Sequence, residues 1–134
     1  MQFWKTVMYS PPVYGSDLTG SLMDEAAGGW NMNSLDSLLR YAVPHRIKGV
    51  TEPYCYIGTW KAFFSWHKED LDLSAINYIH EGEPKIWYSV APQDSHLLEE
   101  VAQKHYRQQY LQCPQFLRHK TFLIHPQALL KDCP

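Results

Sequence analysis

A chain of 134 residues is one domain by length and is large enough to bury a core. Its 45% hydrophobic and 14% aromatic content excludes a disordered or low-complexity segment. A net charge of −2 gives no basic footprint for nucleic acid, and is too small to argue for a cationic peptide.

No signal peptide or membrane span is expected. Met1 to Tyr9 is short and interrupted by Lys5, and no long apolar run follows. Cys55, Cys113 and Cys133 form an odd, scattered set without framework spacing. Without an export signal they read as thiols or metal ligands in a reducing intracellular compartment.

In chain order, Pro11-Pro12 followed by Tyr14-Gly15 predicts an extended stretch ending in a turn. Gly28-Gly29 breaks the chain before Ser34, which predicts an N-cap for a helix with Leu35, Leu38, Leu39 and Ala42 on one face. Pro44 ends that helix. Between Pro53 and Trp66, Tyr54, Tyr56, Gly58 and Trp60 fall on alternate positions, the best strand pattern in the chain. Two shorter strands are predicted, Ala75 to Ile79 and Ile86 to Val90, joined by a turn at His80-Glu81-Gly82-Glu83-Pro84. A helix starting at Asp94 or Ser95 runs to about Tyr110, with Leu97 or Leu98, Val101, Ala102 and His105 or Tyr106 on its apolar stripe. Phe116 to Leu130 alternates basic and apolar residues and has no clear period. Strands first and helices outside predict a β-rich sheet or barrel, with too few strands to close it.

His67-Lys68-Glu69 carries the first chemical signal. A His-x-carboxylate pair leaving a strand supplies two of the three ligands of a 2-His-1-carboxylate facial triad, which holds Fe(II) and leaves positions open for a co-substrate and dioxygen. The pair taken alone is weak, because surface coincidence produces the same spacing. Asn77 and Lys85 strengthen it, at offsets that suit an acidic co-substrate beside the iron. Lys85 sits among Ile86, Trp87 and Tyr88. A lysine in an aromatic-lined pocket calls for an anion, whereas one at a sheet edge simply snorkels to water.

The runs Pro53-Tyr54-Cys55-Tyr56-Ile57-Gly58-Thr59-Trp60-Lys61, Trp66-His67-Lys68-Glu69-Asp70, Ile76-Asn77-Tyr78, Gly82-Glu83-Pro84-Lys85 and Trp87-Tyr88 together resemble the JmjC domain. Pro11-Pro12-Val13-Tyr14-Gly15 and Phe116-Leu117-Arg118-His119-Lys120 extend the likeness over nearly the whole chain. Within that family the sequence is most similar to the jumonji-type histone demethylases that act on trimethylated lysines 9 and 36 of the histone H3 tail. The resemblance implies a mainly β fold with flanking helices, a partial double-stranded β-helix of the jelly-roll or cupin-like kind. Residues 1–134 would be the N-terminal and central part of that domain, lacking its last strands.

It also implies roles. His67 and Glu69 would bind iron. Tyr14 and Lys85 would hold the distal carboxylate of 2-oxoglutarate, Asn77 would hydrogen-bond near its chelating end, and Phe64 and Trp87 would pack beside it. Gly49, Tyr54, Tyr56 and Glu69 would line a methyl-lysine pocket, whose aromatic walls suit a quaternary ammonium. Cys113 and His119 match two ligands of a structural zinc site, a thiolate and imidazole half-set normal for Zn(II). A buried free cysteine and an exposed histidine are the plainer account of the same two residues. Cys133 is a conceivable further ligand that matches nothing in the family pattern.

The implied function is that of a nuclear, Fe(II)- and 2-oxoglutarate-dependent dioxygenase on chromatin. It would remove methyl groups from histone H3 lysines by N-methyl hydroxylation and formaldehyde release. Two departures stand out. The family's third iron ligand, a late histidine, has no match here: His80, His105, His119 and His125 all fall in the wrong setting. The chain by itself is therefore expected to be weak or inactive. Lys68, beside the iron pair, opposes a cationic histone peptide. Two alternatives from other classes are a non-catalytic chromatin-associated remnant and a zinc-stabilised interaction module.

Overall fold

The computed structural model describes residues 2–24 and 30–132. The expected Gly28-Gly29 break and Cys133 lie outside the described residues. The chain divides into two compact units, Met1–Ala62 and Phe63–Pro134.

The first unit is organised by an antiparallel pair, β1 (Tyr14–Thr19) and β2 (Tyr54–Gly58). Tyr14 stands opposite Gly58, Gly15 opposite Ile57, Leu18 opposite Cys55 and Thr19 opposite Tyr54. Three steps along β1, from Gly15 to Leu18, face two along β2, so β1 carries one extra residue as a β-bulge. Asp17 absorbs the bulge with φ 56°, in the left-handed region that Asp tolerates better than most residues. Thr59 extends the ladder by one rung, since its N–H donates to the Val13 carbonyl and its Oγ1 accepts from the Val13 N–H, both at 3.0 Å. Tyr14-Gly15 is thus the start of a strand and not the turn expected from the sequence.

A one-and-a-half-turn helix, α1 (Gln2–Thr6), is held at its C-terminal end by Lys61. The Lys61 ammonium donates to the carbonyls of Thr6, Tyr9 and Ser10, oxygens left without helical partners. The helix expected from Ser34 is shorter and starts later. Asn31 caps a single 3₁₀ turn at Met32–Ser34 by accepting from the Asn33 N–H at 2.8 Å. Leu35 is then extended (ψ 132°), and α2 covers Leu38–Ala42, ending at Val43 before Pro44. Leu38 is 88% exposed, so the apolar face read from the sequence does not bury as a unit.

The second unit is helical and holds the buried core of the described residues. α3 (Ser95–His105) and α4 (Arg107–Gln112) replace the one helix expected to Tyr110. The break falls at Tyr106, whose φ −121° and ψ 46° leave the helix. Its ring joins Phe116 and Phe122, at centroid distances of 6.0 and 4.8 Å, and its hydroxyl donates to the Leu123 carbonyl at 2.9 Å. A regular helix would forgo that cluster. Val101, Ala102, Phe116, Ile124 and Leu129 form the buried centre, with Leu98, Tyr110, Cys113 and Leu117 packed around it. The ambiguous stretch resolves as a 3₁₀ turn, Phe116–His119, and α5 (Pro126–Asp132).

Among the described residues β1–β2 is the one sheet, a smaller β content than the sequence pattern predicts but consistent with part of a larger β domain flanked by helices. Residues 75–79 and 86–90 lie on either side of a bend where Gly82 adopts φ 104°, and neither is a strand. Ile76 (50% exposed) and Ile86 (78%) show why. A period-two pattern makes a strand only when a neighbouring backbone completes the ladder and covers the apolar face, and no described residue does so.

Candidate functional site

The residues singled out from the sequence divide between the units. Tyr14, Gly49, Tyr54 and Tyr56 belong to the first, and Phe64, His67, Glu69, Asn77, Lys85 and Trp87 to the second.

In the second unit the site begins with Trp66. Its indole Nε1–H donates to the carbonyl of buried Ile124 at 2.9 Å, fastening the backbone just before His67 to the core. Ser65, itself buried, turns its carbonyl to His67 Nδ1 at 2.7 Å. A carbonyl only accepts, so Nδ1 carries the hydrogen and the lone pair of the neutral ring is on Nε2. That nitrogen faces Glu69 Oε1 at 3.8 Å. One divalent cation with bonds of about 2.0–2.2 Å can touch both atoms. The imidazole tautomer is set by a backbone acceptor, as is usual for metal-ligating histidine. Among the described residues no group of three or more His, Cys, Asp and Glu side chains is placed to hold a metal ion.

Phe64 connects this pair to Lys85. Its ring centroid is 6.2 Å from that of His67, and the Lys85 ammonium lies over the same Phe64 ring at 5.0 Å from its centroid. The same ammonium is 5.7 Å from the Trp87 ring. Desolvation lowers the Lys85 pKa below the usual lysine value, the condition in which an anion would be welcome. Asn77 is exposed in the irregular segment before the Gly82 bend, and no hydrogen bond ties it to His67 or Lys85. Lys68, expected to oppose a cationic peptide, is 3.4 Å from Glu99, a surface pair that offsets part of its charge.

A shallow, half-open depression of about 340 Å³ is lined by Phe63, Phe64, Ser65, His67, Lys120 and Thr121. Lys120 and Thr121 were missed from the sequence. Lys120 was visible beside His119, but only the tertiary path of the 3₁₀ turn carries it to this depression, with Lys120 itself ending the turn at φ 56°. His119 is exposed, and Cys113 packs against the core as a partly buried free thiol. Among the described residues they join no metal-binding group, so the fold lends the zinc expectation no geometry.

In the first unit three tyrosines cluster. Tyr14 and Tyr56 stack at 6.3 Å with an interplanar angle of 28°, and Tyr54 meets Tyr56 edge-on at 6.4 Å. Burial, assisted by the Asp17 charge, pushes the Tyr14 phenol up to about 12, and that of Tyr56 is raised further by the same causes and a hydrogen bond to Asp17. Gly49, at φ 76°, sits in a tight loop whose N–H donates to the Glu52 carbonyl at 2.7 Å. A Cβ there would fall 2.4 Å from Tyr54 Cε2, so glycine lets the ring lie against the backbone.

Comparison with known proteins agrees with the resemblance. A family model described as JmjC domain, hydroxylase, matches residues 54–133. The chain is 43% identical over 134 residues to the probable lysine-specific demethylase 4F of Homo sapiens, covering 98% of this chain and 21% of that protein. Lysine-specific demethylase 4D of Rattus norvegicus is 42% identical over 134 residues (98% of this chain, 26% of the relative). Lysine-specific demethylase 4B of Mus musculus is 41% identical over 133 residues (97% and 12%). The chain spans between 12% and 26% of the length of these curated relatives. With the family match covering more than half of its residues, the chain belongs to the JmjC domain family.

Proposed function

We propose that this chain carries part of the site of an Fe(II)- and 2-oxoglutarate-dependent dioxygenase that demethylates lysines of the histone H3 tail, with lysines 9 and 36 as the preferred positions and chromatin in the nucleus as the setting. The observation that carries the reading is the His67 ring, held by Ser65 with Nε2 facing Glu69 at 3.8 Å. His67 and Glu69 would hold the iron. Bound there, iron supplies the dioxygen chemistry that couples oxidative decarboxylation of 2-oxoglutarate, to succinate and carbon dioxide, with hydroxylation of an N-methyl group that then leaves as formaldehyde.

The chain's own groups bind and orient. The Lys85 ammonium, 5.0 Å from the Phe64 ring and 5.7 Å from that of Trp87, pairs with the distal carboxylate of 2-oxoglutarate. Tyr14 and Asn77 are assigned to the same co-substrate, and Gly49, Tyr54 and Tyr56, with Glu69, to the methylated lysine. Cys113 and His119 are retained as two ligands of a structural zinc. Because no third group joins His67 and Glu69 among the described residues, turnover by residues 1–134 alone is low or absent.

The test is succinate formation by the purified chain with Fe(II), 2-oxoglutarate and a trimethyl-lysine H3 peptide, alongside calorimetric binding of each component. The reading expects Fe(II) and 2-oxoglutarate to bind, with both lost or weakened in His67→Ala, and little succinate. Stoichiometric zinc whose removal unfolds the chain, with His67→Ala inert toward iron, would replace it with the interaction-module reading.

A further inference from the structure

The bulge in β1 has a chemical consequence. Without the extra residue Asp17 would not come opposite Tyr56; with it, Asp17 Oδ1 accepts a 2.9 Å hydrogen bond from the Tyr56 hydroxyl. Tyr56 in turn is stacked on Tyr14 and meets the edge of Tyr54. We propose that Asp17 is a specificity-determining residue of the tyrosine cluster, selecting a quaternary ammonium over an uncharged group of the same shape. This rests on the assignment of Tyr54 and Tyr56 to the methylated lysine.

Two effects follow from the geometry. A phenol that donates to Asp17 presents oxygen lone pairs in its remaining directions. A trimethylammonium has no N–H, and meets its surroundings through polarised C–H groups that need acceptors. The Asp17 carboxylate also adds a formal negative charge beside the tyrosine rings, which attracts a cation and not its carbon analogue. The raised Tyr56 pKa is in keeping with a phenol held protonated against that carboxylate.

Asp17→Asn tests this without disturbing the bulge, because asparagine has the same shape and tolerates the left-handed conformation equally well. The probes are tetramethylammonium ion, a peptide bearing trimethyl-lysine, and the same peptide with the quaternary nitrogen replaced by carbon. Asp17→Asn is expected to weaken the cationic peptide by about three- to ten-fold and the carbon isostere by less than about two-fold, with Tyr56→Phe and Asp17→Asn non-additive. In NMR-monitored alkaline titration, the Tyr56 phenol falls toward its ordinary value in Asp17→Asn. Equal weakening of both peptides, or of neither, overturns the proposal. If tetramethylammonium binds wild type and Asp17→Asn alike, the tyrosine pocket stands and the role of Asp17 falls. If wild type ignores every cationic probe, the pocket assignment falls with it.

Discussion

The Trp66 indole donates to the Ile124 carbonyl at 2.9 Å across 58 residues of sequence. Ile124 is 3% exposed and central to the core, so this bond transmits the rigidity of the helical unit to Ser65 and His67. Trp66→Phe keeps most of the ring and removes the donor, leaving a buried carbonyl unpaired. It should cost about 1–2 kcal/mol in urea-unfolding experiments. It should also weaken Fe(II) binding, measured by calorimetry, because the His67 backbone is then less fixed.

Lys85 sets a prediction with a definite pH dependence. Its folded pKa lies below the unfolded value, so the free protein gains stability as pH rises through the lowered pKa toward 10.5. Binding of a dicarboxylate has the opposite sense and weakens over the same window as the ammonium is lost. At 100 times its dissociation constant, 2-oxoglutarate should stabilise the chain by about 2.7 kcal/mol. Differential scanning fluorimetry should show that rise in melting temperature, and Lys85→Met should abolish it.

Gly49→Ala places a methyl 2.4 Å from the Tyr54 ring at a backbone φ of 76°. The left-handed conformation alone costs an L-residue about 1–2 kcal/mol. The expected outcome is a displaced Tyr54, seen as a changed near-ultraviolet circular dichroism signal. Trimethyl-lysine peptide binding should fall while Fe(II) affinity at His67 and Glu69 stays within about two-fold.

Asp132 joins α5 to α3 through Lys104 Nζ and His105 Nε2, each at 2.8 Å. These hydrogen bonds, Lys104 first, hold its carboxyl below the ordinary value of 3.8. A depressed folded pKa means that the contribution is present above that ordinary value and is lost as pH falls through the lower one. Helical circular dichroism followed from pH 6 down to pH 2 should show an acid transition that is reduced in Asp132→Asn.

How legible each feature was depended on how local its cause is. The stripe of Leu97 or Leu98, Val101, Ala102 and His105 or Tyr106 repeats at helical spacing and was readable as far as His105, because the helix supplies its own hydrogen bonds and needs only one face covered; the break at Tyr106 was not. The stretch from Pro53 to Trp66 was readable as a strand for a different reason, its alternating aromatics, but only Tyr54–Gly58 pairs with β1, and Trp60 falls in a turn. Ala75–Ile79 and Ile86–Val90 carried a similar pattern and failed as strands. Their hydrogen-bonding partners must come from elsewhere, and the pattern does not say from where.

The sequence by itself determined the family and made His67 and Glu69 neighbours wherever the backbone between them is extended, since side chains two apart in an extended chain share a side. It also determined the aromatic company of Lys85, through Trp87 beside it. Tertiary structure alone decided which His67 nitrogen faces Glu69, because that depends on how the chain turns the Ser65 carbonyl. It decided that Lys120 lines the His67 depression and that Asp17 meets Tyr56, contacts between residues 53 and 39 positions apart. Such contacts arise from where a 3₁₀ turn ends and where a strand takes up one extra residue. Neither leaves a periodic mark in the sequence, because each depends on what packs or pairs against the chain at that point.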